Sequence, residues 1–139
     1  MDDGLNIPQH EPSGANIDPW MENGDFLVSY LKLLGVEYVF GVPGGAIEPL
    51  VNALARAEAD GGPRCVMARH ETGAAFMAEG YHSASGRLAA CFATTGPGAT
   101  NLVTGVASAY STKTPMLVIT AQTSLETFGR SALQESSCT

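Results

Sequence analysis

A chain of 139 residues has room for one globular core and not for two, since single cores commonly run to roughly 100–200 residues. Its 45% apolar and 15% charged content suits a packed fold rather than a disordered acidic protein, and the net charge of −7 excludes a basic nucleic-acid-binding surface: Lys32, Arg56, Arg64, Arg69, Arg87, Lys113 and Arg130 are scattered singly. The opening MDDGLNIPQH has no basic n-region and no apolar h-region, and no apolar run approaches the ~20 residues of a membrane span, so no membrane association is expected and the cytoplasm is the default location.

Residues 1–22 hold Pro8, Pro12 and Pro19 among polar residues, and the first acids (Asp2, Asp3, Glu11, Asp18, Glu22, Asp25) have no Lys or Arg among them. A flexible acidic arm is expected there, ahead of a domain over residues 23–139. Phe26, Leu27, Tyr30, Leu31 and Leu34 then recur at helical spacing behind a possible Asn23 cap, and Gly35 stops the run. Residues 37–41 form a short aromatic and β-branched strand that ends in the turn Val42-Pro43-Gly44-Gly45-Ala46, with a second helix to about residue 57. A strand over 65–68 leads to an alanine-rich helix over 71–85. A third strand over 88–93 is followed by a turn over 94–98 and a helix from 99 to about 110, and a fourth strand covers 115–121.

Strands alternating with helices predict the α/β class, with an open parallel sheet covered by helices on both faces. After residue 121 the chain stops without a further covering helix, which reads as a domain interrupted at its C-terminus. Cys65 and Cys91 lie inside apolar runs and, with Cys138, are expected as reduced structural thiols. His10, His70 and His82 make no ligand spacing with them, so no metal site is expected within the chain.

The two glycine-rich turns fall at the carboxyl ends of strands expected to be neighbours, where open α/β sheets place ligands. Neither is G-x-G-x-x-G, and no P-loop pattern occurs, so nicotinamide and P-loop nucleotides lose their main support. Between the second strand and its helix stands Arg69-His70-Glu71, with Ala74, Ala75 and Ala78 on the same helix face as Glu71. Spacing alone leaves two readings of Glu71. It is a carboxylate over a small-residue surface that a flat group could approach, or a charge placed to complement the helix dipole. Asn101, Thr104, Gly105 and Ser108 likewise share a small polar face suited to close helix contact, within the chain or with another subunit.

Three blocks narrow the choice. Val39-Phe-Gly-Val-Pro-Gly-Gly-Ala-Ile-Glu-Pro49, Arg69-His-Glu-Thr-Gly-Ala-Ala-Phe-Met-Ala-Glu-Gly-Tyr81 and Thr95-Gly-Pro-Gly-Ala-Thr-Asn101 resemble, in order and spacing, the amino-terminal pyrimidine-binding domain of thiamine-diphosphate (ThDP) enzymes of the acetolactate (acetohydroxyacid) synthase type. The similarity runs from about residue 23 to 135. The resemblance implies that Glu71 is the catalytic glutamate, hydrogen-bonded to N1′ of the cofactor's aminopyrimidine. It further implies that Val42, Pro43, Gly44, Gly45 and Ala46 line the ThDP site, that Thr94, Pro97 and Asn101 lie near the pyrimidine, and that Gln134 and Leu133 face the substrate. Val42 stands where a Tyr often precedes the family's Pro-Gly-Gly, a variant that looks more like glyoxylate carboligases, and Leu133 replaces the usual Phe of Ala-Phe-Gln-Glu.

By the same resemblance the reaction is decarboxylation of a 2-oxo acid followed by carboligation. Mg²⁺ is anchored by a Gly-Asp-Gly motif of the family's diphosphate-binding domain, which this chain lacks, and where the family carries FAD its domain falls beyond residue 139. The implied partner is a complementary diphosphate-binding domain or subunit within a homo-oligomer, so this chain supplies half a site and is expected to be inactive in isolation. Two alternatives stand beside that reading: the pyrimidine-domain subunit of a split 2-oxo acid decarboxylase, and a non-catalytic interaction module that keeps the fold.

Overall fold

The computed structural model of the protein describes residues 21–124 together with 126, 129, 130, 134 and 135. Residues 1–20 of the expected acidic arm and the expected environments of Leu133 and Cys138 lie outside the described residues. The chain opens with α1 (Asn23–Leu33), which is followed by β1 (Tyr38–Gly41), a single 3-10 turn (Gly45–Ile47), α2 (Glu48–Ala59) and β2 (Arg64–Met67). Then come α3 (Glu71–Ser85), β3 (Ala89–Ala93), α4 (Pro97–Asn101), α5 (Val103–Thr112) and β4 (Met116–Thr120).

All four strands are parallel, in the order β2-β1-β3-β4. The chain therefore starts at the centre of the sheet, moves out to β2, and returns across β1 to β3. With right-handed crossovers that reversal puts α2 on one face and α3 and α5 on the other. Side-chain alternation along the strands separates the two faces. Val39, Ala90 and Phe92 join Val28, Leu31, Ile47, Leu50 and Leu54 in one core, and Phe40, Ala89, Cys91 and Ala93 join Ala74, Ala75, Ala78 and Leu102 in the other.

Three expectations are corrected at the ends of helices. Asn23 is the first residue of α1 rather than its cap, which falls on Glu22. The helix expected from residue 99 starts instead at Pro97, whose fixed φ and missing N–H suit a first helical position. That helix also does not run on to residue 110: it breaks at Leu102, whose N–H reaches the Ala99 carbonyl in a tightened turn. Leu102 is thereby driven into the core, and Val103 stays exposed. Among the described residues no helix is long and apolar enough to cross a membrane.

Candidate functional site

The crossovers leaving β1 and β3 run in opposite directions, so the crevice between the carboxyl ends of these two strands is the switch point where open α/β sheets place ligands. The two glycine-rich turns border it. At Gly44 the first turn passes so close to the second that a Cβ there would stand 2.6 Å from the Thr94 Cβ. On the other side of Thr94 lies Gly98, whose added Cβ would come to 2.8 Å from the Thr94 Cγ2 and 3.4 Å from the Glu71 Oε1. Gly44, Thr94, Gly98 and Glu71 thus form one continuous wall.

Glu71 is the first residue of α3, which begins as the chain leaves β2. His70 caps this helix, accepting the Thr72 N–H at its Nδ1, 3.2 Å away. The Glu71 carboxylate is only 8% exposed, and it sits at the positive end of a 15-residue helix. Its Oε2 accepts from the Asn101 Nδ2 at 3.0 Å, while Oε1 is the oxygen on the side of Gly98. A carboxylate has only acceptor sites, so it is the amide nitrogen of Asn101, and not its oxygen, that must face it. Beside this pair the Thr94 Oγ1 is buried with no hydrogen-bond partner. A buried hydroxyl without a partner is costly, on the order of 1–3 kcal/mol, which suits a position that a bound group completes.

The remaining sequence-derived positions spread outward from this wall. Val42 is half-buried, and Pro43 and Gly45 join Gly44, Glu48 and Val51 around an open depression of about 300 Å³. Ala46 turns away from it and lines a separate groove of about 370 Å³ with Asn23, Leu27, Ile119 and Gln122. Pro97 is exposed at the start of α4. Gln134 lies at this edge through its backbone: its carbonyl accepts from the Thr95 Oγ1 at 3.2 Å and presses on Gly96, where an added Cβ would meet it at 2.0 Å. Leu133 lies outside the described residues.

The small polar face expected on the last helix is also resolved. Gly105 packs on Ala75 of α3, Ser108 donates to Glu79 of the same helix, and Thr104 is exposed, so the contact is made within the chain. Sequence reasoning did not single out Gly98, whose lack of a side chain lets it pack against Thr94 beside Glu71, nor Thr72, whose Oγ1 donates to the Asn101 carbonyl at 2.5 Å. Gly98 was readable as the second glycine of Gly-Pro-Gly. Thr72 carried no signal beyond standing next to Glu71.

The residues fit a flat, nitrogen-bearing ring: a buried carboxylate oxygen that Asn101 leaves free to bond it, and beside it a hydroxyl without a partner. Comparison with known proteins agrees. Residues 21–138 match the family described as thiamine pyrophosphate enzyme, N-terminal TPP binding domain. The chain is 42% identical over 121 residues to an acetolactate synthase large subunit of Parasynechococcus marenigrum, covering 87% of this chain and 20% of that protein. It is 46% identical over 115 residues to the acetolactate synthase isozyme 2 large subunit of Escherichia coli, covering 83% and 20%. With an acetolactate synthase large subunit of Lactococcus lactis the identity is 49% over 105 residues, covering 76% and 18%. The chain spans about a fifth of the length of these relatives. Its sequence blocks, its parallel sheet and its family match together make it a member of the thiamine pyrophosphate enzyme family, corresponding to that family's N-terminal TPP-binding domain.

Proposed function

We propose that this domain furnishes the pyrimidine-binding half of a ThDP site in an acetolactate-synthase-type enzyme, which decarboxylates a 2-oxo acid and joins the retained carbon unit to a second carbonyl compound. The observation that carries the reading is the Glu71 carboxylate, buried at the carboxyl edge and held by Asn101 on Oε2, which leaves Oε1 to bond the ring. When bound, ThDP supplies the nucleophilic carbon and the electron sink that the reaction needs.

Glu71 does its part through Oε1. Because Oε2 is engaged by Asn101, the proton exchanged with the aminopyrimidine N1′ belongs on Oε1. Gly44 and Gly98 let both turns close on Thr94, whose hydroxyl offers the ring a polar contact, and Val42, Pro43, Gly45 and Pro97 shape the approach. Gln134, anchored at the Gly96 turn through its backbone, faces the substrate. The diphosphate and its Mg²⁺ are held by a complementary domain or subunit, in a homo-oligomer whose sites form between chains, and any FAD is bound outside this domain. The enzyme works in the cytoplasm, where free thiols such as Cys65 and Cys91 persist.

The test is Glu71→Gln in an assembly that supplies the diphosphate-binding domain, with proton–deuterium exchange at C2 of bound ThDP followed by NMR after acid quench. Loss of a general acid–base group should slow exchange on the order of 10²–10⁴-fold while the fold survives. Exchange at the parental rate would remove Glu71 from its role. Pyruvate decarboxylation by the unassisted chain would remove the shared-site part of the reading.

A further inference from the structure

Resting on the role given to Glu71 above, we propose that Thr72 is a positioning residue for that carboxylate: its hydroxyl holds the backbone of Asn101 at the α4–α5 break, where the Asn101 amide grips Oε2. Glu71 and Thr72 are adjacent on α3, and they take hold of opposite ends of one residue. Thr72 Oγ1 bonds the Asn101 main-chain oxygen at 2.5 Å, and Glu71 Oε2 receives the Asn101 side-chain nitrogen at 3.0 Å. A single hydrogen bond leaves a pivot about which Asn101 could swing. Two, at opposite ends of the residue, fix its position and rotation together.

The break in the helix is what makes this grip possible. At the end of α4 the cap N–H bonds return to the Ala99 and Thr100 carbonyls, and the first bond of α5 runs from Val106 to Leu102, which passes over Asn101. The Asn101 carbonyl thus falls at a helix end, where orphan acceptors need partners from outside the helix, and the Thr72 hydroxyl provides one. Thr72 is also the first rung of a ladder that runs from the α3–α4 contact into the α3–α5 contact. Next comes Ala75, against which Gly105 packs so closely that an added Cβ would lie at 2.4 Å, and then Glu79, which accepts from Ser108 at 3.2 Å and Thr112 at 2.8 Å. The lower rungs set the distance between the helices. The Thr72 rung transmits that setting to the carboxylate through Asn101, leaving Oε1 on the side of Gly98 and Thr94.

Thr72→Val keeps the branched shape and deletes the hydroxyl, whereas Thr72→Ser keeps the hydroxyl and deletes the methyl. Both are made in the assembled enzyme beside Glu71→Gln. Misplacing a reacting group by about 1 Å costs about 10²-fold, so Thr72→Val should slow C2 exchange of bound ThDP by about 10- to 100-fold. Its ThDP Kd, measured by calorimetry with Mg²⁺ present, should stay within about threefold, because the interaction lost orients the carboxylate more than it binds the cofactor. Thr72→Ser should exchange within about twofold of the parent.

A crystal structure of unliganded Thr72→Val should show the Asn101 Nδ2 withdrawn from Glu71 Oε2 with the Ala75–Gly105 contact intact. Thr72→Ala carries the same test if valine is not tolerated. Parental exchange in the hydroxyl-free variant, equal slowing in Thr72→Ser, or an unmoved Asn101 each overturns the inference. If Glu71→Gln also exchanges at the parental rate, the reading of the site itself has failed. If Glu71→Gln slows and Thr72→Val does not, only the role of Thr72 has.

Discussion

On the α1–α2 face the sheet is covered by Val28, Leu31, Ile47, Leu50 and Leu54, whereas on the α3–α5 face it meets Ala74, Ala75 and Ala78 with Gly105 behind them. The first face is filled by long side chains that interlock and remove much apolar area from water. The second brings helix backbones close to the sheet and to each other, and it spends the resulting space on polar contacts: Asn101 to Glu71, Thr72 to Asn101, Ser108 and Thr112 to Glu79. One face holds the domain together. The other holds a carboxylate in place. The two faces should accordingly be fragile in opposite ways, one to the removal of atoms and the other to their addition.

The largest expected effect is on the aliphatic face. Leu54 is fully buried in α2, and Leu54→Ala would leave a cavity whose cost in comparable cores is about 2–5 kcal/mol, read as a lower urea midpoint with an unchanged m-value. A smaller loss would mean that α1 and α2 collapse onto the space. Gly105→Ala applies the opposite change to the other face. The new methyl would stand 2.4 Å from the Ala75 Cβ, so the helices must part, at about 1–3 kcal/mol, offset in part by the roughly 1 kcal/mol that Ala gains over Gly in a helix interior. The net stability loss should be less than for Leu54→Ala, yet C2 exchange should fall, because parting α3 from α5 disturbs the Asn101–Glu71 contact. A Gly105→Ala protein that is destabilised with unchanged exchange would show that the small face supports the fold alone.

Much of the fold was legible from the chain because the cues were local. Apolar runs bounded by glycine turns marked the strands, and the turns at residues 42–46 and 94–98 do lie at one carboxyl edge, on adjacent strands. The break at Leu102 was not legible. The helical pattern of residues 99–110 is continuous in sequence, and the break follows from seating Leu102 in the core while Asn101 turns to Glu71. Thr104 was grouped with Asn101 and Ser108 on the assumption of one unbroken helix, and the same break leaves it exposed. The site divides in the same way. Glu71 was marked by its motif and its alanine face, but the contacts that orient it join residues about 30 positions apart, and only the fold brings them together.

The smallest expected effect at neutral pH concerns Cys91, which lies on the small-residue face at the centre of β3. Burial pushes its thiol up from the usual value of 9.0 to about 11, because the thiolate would lose its hydration without gaining a partner. The unfolded chain therefore releases this proton at lower pH than the folded one. A raised folded-state pKa means that the stability involved is fully present below pH 9.0 and is lost as the pH rises toward about 11. Cys91→Ala deletes one sulfur among alanines, so near neutral pH the loss should be modest, about 1 kcal/mol. The difference between parent and variant should then shrink above pH 9.0 as the parent loses what the variant never had. Urea midpoints of the two proteins from pH 7 to 11 measure this directly. Curves that stay parallel across that range would mean that the β3 core admits water at Cys91, and with it that the small-residue face is less tightly closed than its glycine and alanine contacts require.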